Sequence, residues 1–436
     1  MTTTETMTKN ALEIIANRPY TQPGETVDQM WTRIADHVAG AEELLKQDLW
    51  RGKFYDLMSS LKFIPNTPTV AYAGIPGDQH CMSACFVDSP DDSLADIVRV
   101  GTETPFIESS GGGIGWGLSK LRPANDKVGH KTGGACGPVR VLHWYSSGGM
   151  IFTQGIIRQG AHMAQLHVSH PDVLDFIRCK AECLTPSDPL ANVNISVQLT
   201  DEFMEAVKAG GDWSLVNPRT GLTEGYWDAW DLWEAICLEA WRTGDPGVVF
   251  MDRVLEAAPN PSLPPIQSSN PCGEEFLEDG GSCNLGSMNL TEYVTKEDLG
   301  PGRPIGTWEV DWTTLAKDIQ TAIRFLDDVI EVNVFPFEHL AEMNRNTRRI
   351  GLGVMGWADM LVMLGLKYDS DEALDLAVKL SAFITETAWT ASYSLGQEKG
   401  AYPLAKDIKG LGARRNSSVT TIAPTGSISI IAGVSS

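Results

Sequence analysis

The segment SSNPCGEEFLEDGGSCNLGSMNL, residues 268–290, concentrates the chemistry of this chain. Cys272 sits between an amide, Asn270, and a carboxylate, Glu274, and Cys283 follows eleven positions later. Extended backbone alternates its side chains between two faces, so Asn270, Cys272 and Glu274 are expected on one face. A hydrolytic cysteine needs a histidine base, and none of the eight histidines lies nearby in sequence; a distant partner stays open. An acid and an amide beside a thiol suit substrate hydroxyls instead: the Glu takes a hydroxyl proton and the Asn holds its neighbour.

Composition narrows the class. At 436 residues, 42% hydrophobic and 21% charged, the chain reads as globular, with length for one large core or two to three domains. It holds no run of about 18 apolar residues that would span a membrane. The opening MTTTETMTKNALEII lacks the basic start and apolar block of a secretory signal, so a cytoplasmic location is expected. A formal charge of −22 argues against direct nucleic-acid or anionic-membrane binding. An anionic ligand must then be held by backbone amides, helix N-termini or a few Arg and Lys. Eight cysteines are ordinary for a cytosolic protein. The pairs Cys81-x3-Cys85, Cys179-x3-Cys183 and Cys272-x10-Cys283 include no C-x2-C spacing, so no metal site is expected. For most of them, Cys237 above all, the bland reading is a small hydrophobe.

Helical and extended patterns alternate along the chain. Residues 10–62 are helical by apolar spacing, FIPNTPTVAYAG breaks the pattern, and residues 92–108 form a further helix that ends at SSGGGIGWG. ANVNISVQLT alternates as a strand. Residues 201–210 and 229–243 are helical. Leu315, Ile319, Ile323, Leu326 and Ile330 make a helical stripe, and Asp369 and Ser370 can cap the next helix. SSVTTIAPTGSISIIAG reads as a strand, a turn and another apolar run. Small-residue turns at Ser109–Gly117, Arg158–Ala161 and Pro424–Ser429 each suit either a plain turn or a phosphate cradle. Strands alternating with long helices give an α/β class with parallel sheet.

In the order in which they occur, FIPNTPTVAYAG, MSACFVDSPDDSL, SSGGGIGWGLSKLRP, RQGAHMAQLHVSHPDVLDFI, NPRTG, TGDPGVVFMDR, NPCGEEF, SCNLGSMNL, RRIGLGVMGWADML and TTIAPTGSISIIAGVSS resemble the catalytic subunit of ribonucleotide reductase. Pro271 and Gly273 favour the adenosylcobalamin-dependent class II enzymes. The resemblance implies a ten-stranded α/β barrel with a central finger loop. In it Cys272 becomes a thiyl radical that takes the ribose 3′ hydrogen, Glu274 is the base on the 3′ hydroxyl, and Asn270 binds the sugar hydroxyls. Cys85 and Cys283 are the implied reducing pair on neighbouring strands, closing to a disulfide. Pro424, Thr425, Gly426, Ser427 and Ile428 are implied to cradle the substrate phosphates, with Thr67, Ala84, Gly113, Pro271 and Gly273 also lining the substrate.

Further expectations follow from the family. A deoxynucleotide effector is expected to meet Asp92, Lys120, Arg122 and Arg158, with Gln159 standing where a second Arg is frequent. Partners are a ribonucleotide (a diphosphate), a thioredoxin- or glutaredoxin-like reductant, a second copy in a homodimer, and a C-terminal fragment completing a barrel that is incomplete after Ser436. Two domains are expected, a helical region over 1–62 and the barrel over 63–436, with strands near Cys85, 190–199, Cys283 and 418–423. The alternatives are a class I subunit served by a separate metal-radical subunit, or a non-catalytic nucleotide-binding fragment.

Overall fold

A computed structural model describes residues 7–18, 20–75, 81–129, 133–151, 160–181, 185, 188–258, 260, 263–296, 308–405 and 412–436. The chain forms two compact units, one of Met1–Ala84 with Ser282–Ser436 and one of Cys85–Gly281. The strands in chain order are β1 (Phe63–Pro65), β2 (Cys85–Val87), β3 (Gly113–Gly117), β4 (His162–His167), β5 (Val193–Leu199), β6 (Asp212–Val216), β7 (Thr223–Asp228), β8 (Gly247–Phe250), β9 (Ile266–Ser269), β10 (Phe276–Glu278), β11 (Gly281–Asn289), β12 (Val294–Lys296), β13 (Trp308–Val310) and β14 (Ile350–Met355).

In the Cys85–Gly281 unit, β2, β3, β4, β5 and β8 form a parallel sheet in that order, with Cys85 opposite Gly113 and His162 opposite Val193. Parallel strands need long crossovers, and helices Leu94–Ser109, Gly137–Ile151 and Val173–Arg178 supply the first three. β2 and β3 are buried at every position and β5 at all but Asn194, as expected where both faces of a parallel sheet are covered. The expected strand over ANVNISVQLT is therefore present, but its alternation does not mark one wet face. SSGGGIGWG turns only at Ser110 and Gly111, where Gly111 takes φ 85°, and residues 113–117 are β3 itself. The reason lies in what covers it. A Cβ on Gly115 would stand 1.8 Å from the Ser269 carbonyl oxygen, and one on Gly117 2.6 Å from that of Gln267. The hairpin β9/β10 lies directly on β3, and only glycine admits that approach.

In the other unit, β11 pairs antiparallel with β1 and parallel with β14. Helix Trp312–Val332 buries Leu315, Ile319, Ile323, Leu326 and Ile330, the stripe read from the sequence, and starts at Asp311, whose side chain accepts from Thr314 N. Phe325 on this helix meets Phe54 and Phe63 edge-on at 5.2 and 5.5 Å. Ser370 caps helix Asp371–Lys399 as expected. Residues 418–423 do not form the expected strand. They run beside β14 with a single bridge, Leu352 to Thr420, and the apolar run after Pro424 is helix Gly426–Ala432. Its isoleucines fit either state, and the left-handed Thr425, at φ 55°, turns the chain into the helix. Among the described residues no helix is long and apolar enough to cross a membrane.

Candidate active site

Residues 270–275 link β9 to β10, with Ser269 opposite Phe276. Pro271 sets the dihedral of the second turn position, Gly273 N–H donates to Asn270 O at 3.1 Å, and Gly273 adopts φ 84°. The segment is thus a tight turn, not the extended run expected. Asn270 and Glu274 come together because the chain reverses between them, while Cys272, third residue of the turn, is exposed at its tip. Asn194 on β5 holds this tip by donating Nδ2 to Pro271 O at 2.9 Å. Below it, Gln165 donates to Ser269 Oγ at 2.8 Å, and Gln198 to Gln267 O at 2.8 Å and Gln165 Oε1 at 3.0 Å. Sequence reading missed these three side chains. For Gln165 and Gln198 the signal was a polar residue inside apolar strand runs, AQLH and SVQL, where an unpaired amide would be costly; the exposed Asn194 carried no such signal.

Asn270 is 1% exposed, and its orientation is determined by its own oxygen. Glu275 N–H donates to Asn270 Oδ1 at 3.0 Å, and Asn270 N–H donates to Glu275 O at 3.0 Å. Nδ2 must then face the other way. It donates to Glu274 Oε2 at 2.7 Å and to Cys85 Sγ at 3.1 Å, and the Cys85 thiol points to Glu274 Oε1 at 3.9 Å. An amide, a carboxylate and a buried thiol from residues nearly two hundred positions apart therefore form one cluster. It can accept a hydroxyl proton at Glu274, orient a hydroxyl at Asn270 and deliver a hydrogen from Cys85. Cys81 is fully buried, and that burial pushes its thiol up to about 11.

Of the other expected residues, Gly113 lies opposite Cys85, and a Cβ there would meet Pro271 Cγ at 2.9 Å. Asp92, Lys120 and Arg122 are near one another: Arg122 pairs with Asp92 at 2.9 Å, and Lys120 with Asp91 and Asp279 at 2.9 and 3.3 Å. Burial works against the Lys120 charge, but the two carboxylates outweigh it and hold its pKa above the usual lysine value. Arg158 and Gln159 lie outside the described residues. Within the other unit, Thr67 opens helix Thr67–Tyr72, Ala84 and Cys283 are buried, and Pro424–Ile428 leads into helix Gly426–Ala432. Thr425 does not cap that helix, and its buried hydroxyl has no partner among the described residues.

Residues 83–409 match the ribonucleotide reductase barrel domain and residues 7–78 the ribonucleotide reductase all-alpha domain. The chain belongs to the ribonucleotide reductase large-subunit family. It is similar to a vitamin B12-dependent ribonucleoside-diphosphate reductase of Mycobacterium tuberculosis (strain CDC 1551 / Oshkosh), 43% identical over 94% of this chain and 58% of that protein. A protein of the same description from Thermoplasma acidophilum is 42% identical over 88% of the chain and 48% of that protein. A ribonucleoside-diphosphate reductase subunit alpha of Chlamydia trachomatis is 28% identical over 88% and 38%. The chain thus spans about half the length of the curated relatives it matches.

Proposed function

We propose that the protein reduces ribonucleoside diphosphates to 2′-deoxyribonucleotides by a radical mechanism dependent on adenosylcobalamin. The observation that carries this reading is the cluster of Asn270, Glu274 and Cys85 at the root of the turn bearing Cys272. A radical delivered from outside needs an accessible sulfur, and Cys272 is exposed while Asn270 and Cys85 are buried, so these residues fit such a cofactor. When bound, adenosylcobalamin supplies the radical equivalent that turns the Cys272 thiol into a thiyl.

The thiyl takes the ribose 3′ hydrogen, Glu274 takes the 3′ hydroxyl proton, and Asn270 holds the sugar hydroxyls. The 2′ hydroxyl leaves as water. Cys85 and Cys283 together supply the two electrons and two hydrogens, one completing that water and one reaching C2′, and their sulfurs end joined. Cys272 then returns the 3′ hydrogen to carbon, and Glu274 returns the proton to the 3′ oxygen. Pro424, Thr425, Gly426, Ser427 and Ile428 hold the phosphates, and Thr67, Ala84 and Gly113 also line the substrate. A thioredoxin- or glutaredoxin-like dithiol reopens the disulfide. A deoxynucleotide effector binds near Asp92, Lys120, Arg122 and Arg158 in a cytoplasmic homodimer. The B12-dependent relatives at 42–43% identity, against 28% for the Chlamydia subunit, support this over the class I alternative.

The test is deoxynucleotide formation from CDP with adenosylcobalamin and a dithiol. It is run on the chain alone and with the C-terminal part of the tuberculosis relative added as a separate polypeptide. Product that disappears with Cys272→Ser is expected. No product in either arrangement would overturn the reading.

A further inference from the structure

The helical region of residues 7–18 is bonded to the substrate loop by the Arg18 side chain. Helix Lys9–Asn17 packs close against helix Gly426–Ala432, where a Cβ on Gly433 would come within 3.0 Å of Thr8 Cγ2. At the end of the first helix, Arg18 Nη1 donates to Ser427 Oγ at 3.1 Å across 409 positions of sequence. A guanidinium carries five N–H donors, and this is the one side-chain bond that Arg18 makes among the described residues. The other two arginines of the helical region are matched by carboxylates: Arg33 by Glu25 at 2.8 Å, Arg51 by Asp48 at 3.2 Å. No carboxylate pairs with Arg18 among the described residues. In a chain of net charge −22, this half-buried arginine is turned toward a hydroxyl rather than a carboxylate.

The loop it faces has features of an anion cradle. Pro424–Ile428 carries no charge of its own, so only neutral amides and hydroxyls would meet a dianionic or trianionic diphosphate. The Thr425 hydroxyl is buried, with the residue 7% exposed, and has no partner among the described residues. A Cβ on Gly426 would meet nothing within 4 Å, so there is open space at the first turn of the helix. We infer that Arg18 is a phosphate-binding residue, whose guanidinium pairs with the terminal phosphate of the ribonucleotide held at Pro424–Ile428. The inference rests on the proposed substrate loop. Its physical basis is the match of the planar guanidinium fork to two phosphate oxygens, which amides on a short helix cannot supply as charge. The ion pair would also tie the helical region to the substrate, since Arg18 holds the loop through Ser427 before the phosphate arrives.

The test titrates the full chain with CDP, cytidine and inorganic pyrophosphate by calorimetry, comparing wild type with Arg18→Ala, Arg18→Gln and Gly426→Val. Expected is a loss of about 10- to 100-fold in CDP and pyrophosphate affinity for both Arg18 variants. Cytidine binding and the melting temperature should stay as in wild type. Gly426→Val, which fills the open space, should weaken CDP in any case. Arg18 variants that bind CDP as wild type does, with Gly426→Val impaired, would overturn the role of Arg18 and leave the loop assignment standing. If Gly426→Val also binds normally, or wild type does not bind CDP, the loop assignment falls too. Equal losses for CDP and cytidine in the Arg18 variants would mark a structural effect and overturn the inference.

Discussion

Asn270 does two jobs with one amide: its oxygen accepts from Glu275 N–H, and its nitrogen donates to Glu274 and Cys85. Replacing it with Ala leaves the Glu274 carboxylate and the Cys85 sulfur without their shared donor. Asn270→Ala is therefore expected to lower kcat/KM for CDP reduction by at least about 100-fold, roughly the effect of losing one preorganised donor. A variant within a few fold of wild type would contradict that role. The cysteines separate by exposure as well. Cys272 is exposed, whereas Cys81 is fully buried with its thiol pushed up to about 11. Treating native protein with iodoacetamide near pH 8 is expected to label Cys272 early and Cys81 only after unfolding, read by peptide mass spectrometry.

At the scale of elements, the contact that matters is the hairpin β9/β10 on strand β3. Gly115 lies under the Ser269 carbonyl with no room for a methyl group. Gly115→Ala must lift the hairpin or bend the strand, and the strain is expected to cost about 1–3 kcal/mol by urea unfolding. It should also displace Asn270 and Cys272, so activity falls further than stability. Gly225→Ala on β7 is the control, because a Cβ there meets nothing within 4 Å. Its stability should stay within about 0.5 kcal/mol of wild type. The polar residues under the hairpin reinforce the same contact, since Gln165 and Gln198 each bond to its backbone or to Ser269.

For the molecule as a whole, charge is organised inside the unit that holds residues 282–436. Asp327 is fully buried between Arg348 and Arg415, at 2.9 and 3.0 Å. Burial opposes its ionisation, but the two guanidinium groups outweigh it and hold its pKa below the usual carboxylate range. Asp327→Asn would leave two buried cations short of a counter-charge, at an expected cost of about 3–5 kcal/mol in urea unfolding. Glu398 is a milder case. The Arg324 guanidinium beside it, with Lys46, lowers its pKa from 4.5 to about 2. A depressed carboxylate pKa stabilises the fold above the unfolded value and loses that effect as pH falls toward the folded one. Because the side chain is 35% exposed, solvent screening limits the contribution to about 0.5–1 kcal/mol. The stability gap between wild type and Glu398→Gln should therefore be present at pH 7 and narrow progressively from pH 5 to pH 3.

Local rules alone specified much of this protein. The stripe from Leu315 to Ile330 and the cap at Ser370 mark their helices because a helical period and an orphan N–H have local signatures. The order of short motifs was enough to place the chain in its family. Tertiary structure decided what those residues meet. Glycine reads the same whether it frees a turn or admits a neighbour, so the glycines of β3 could not reveal the hairpin pressed on them. Asn270 and Glu274 are joined by a chain reversal that an alternating pattern does not show. Isoleucine suits both strand and helix, and only the turn at Thr425 made residues 426–432 helical. Arg18 and Ser427, like Cys85 and Asn270, meet across long stretches of chain: such contacts depend on how the elements pack, and no spacing within either segment encodes them.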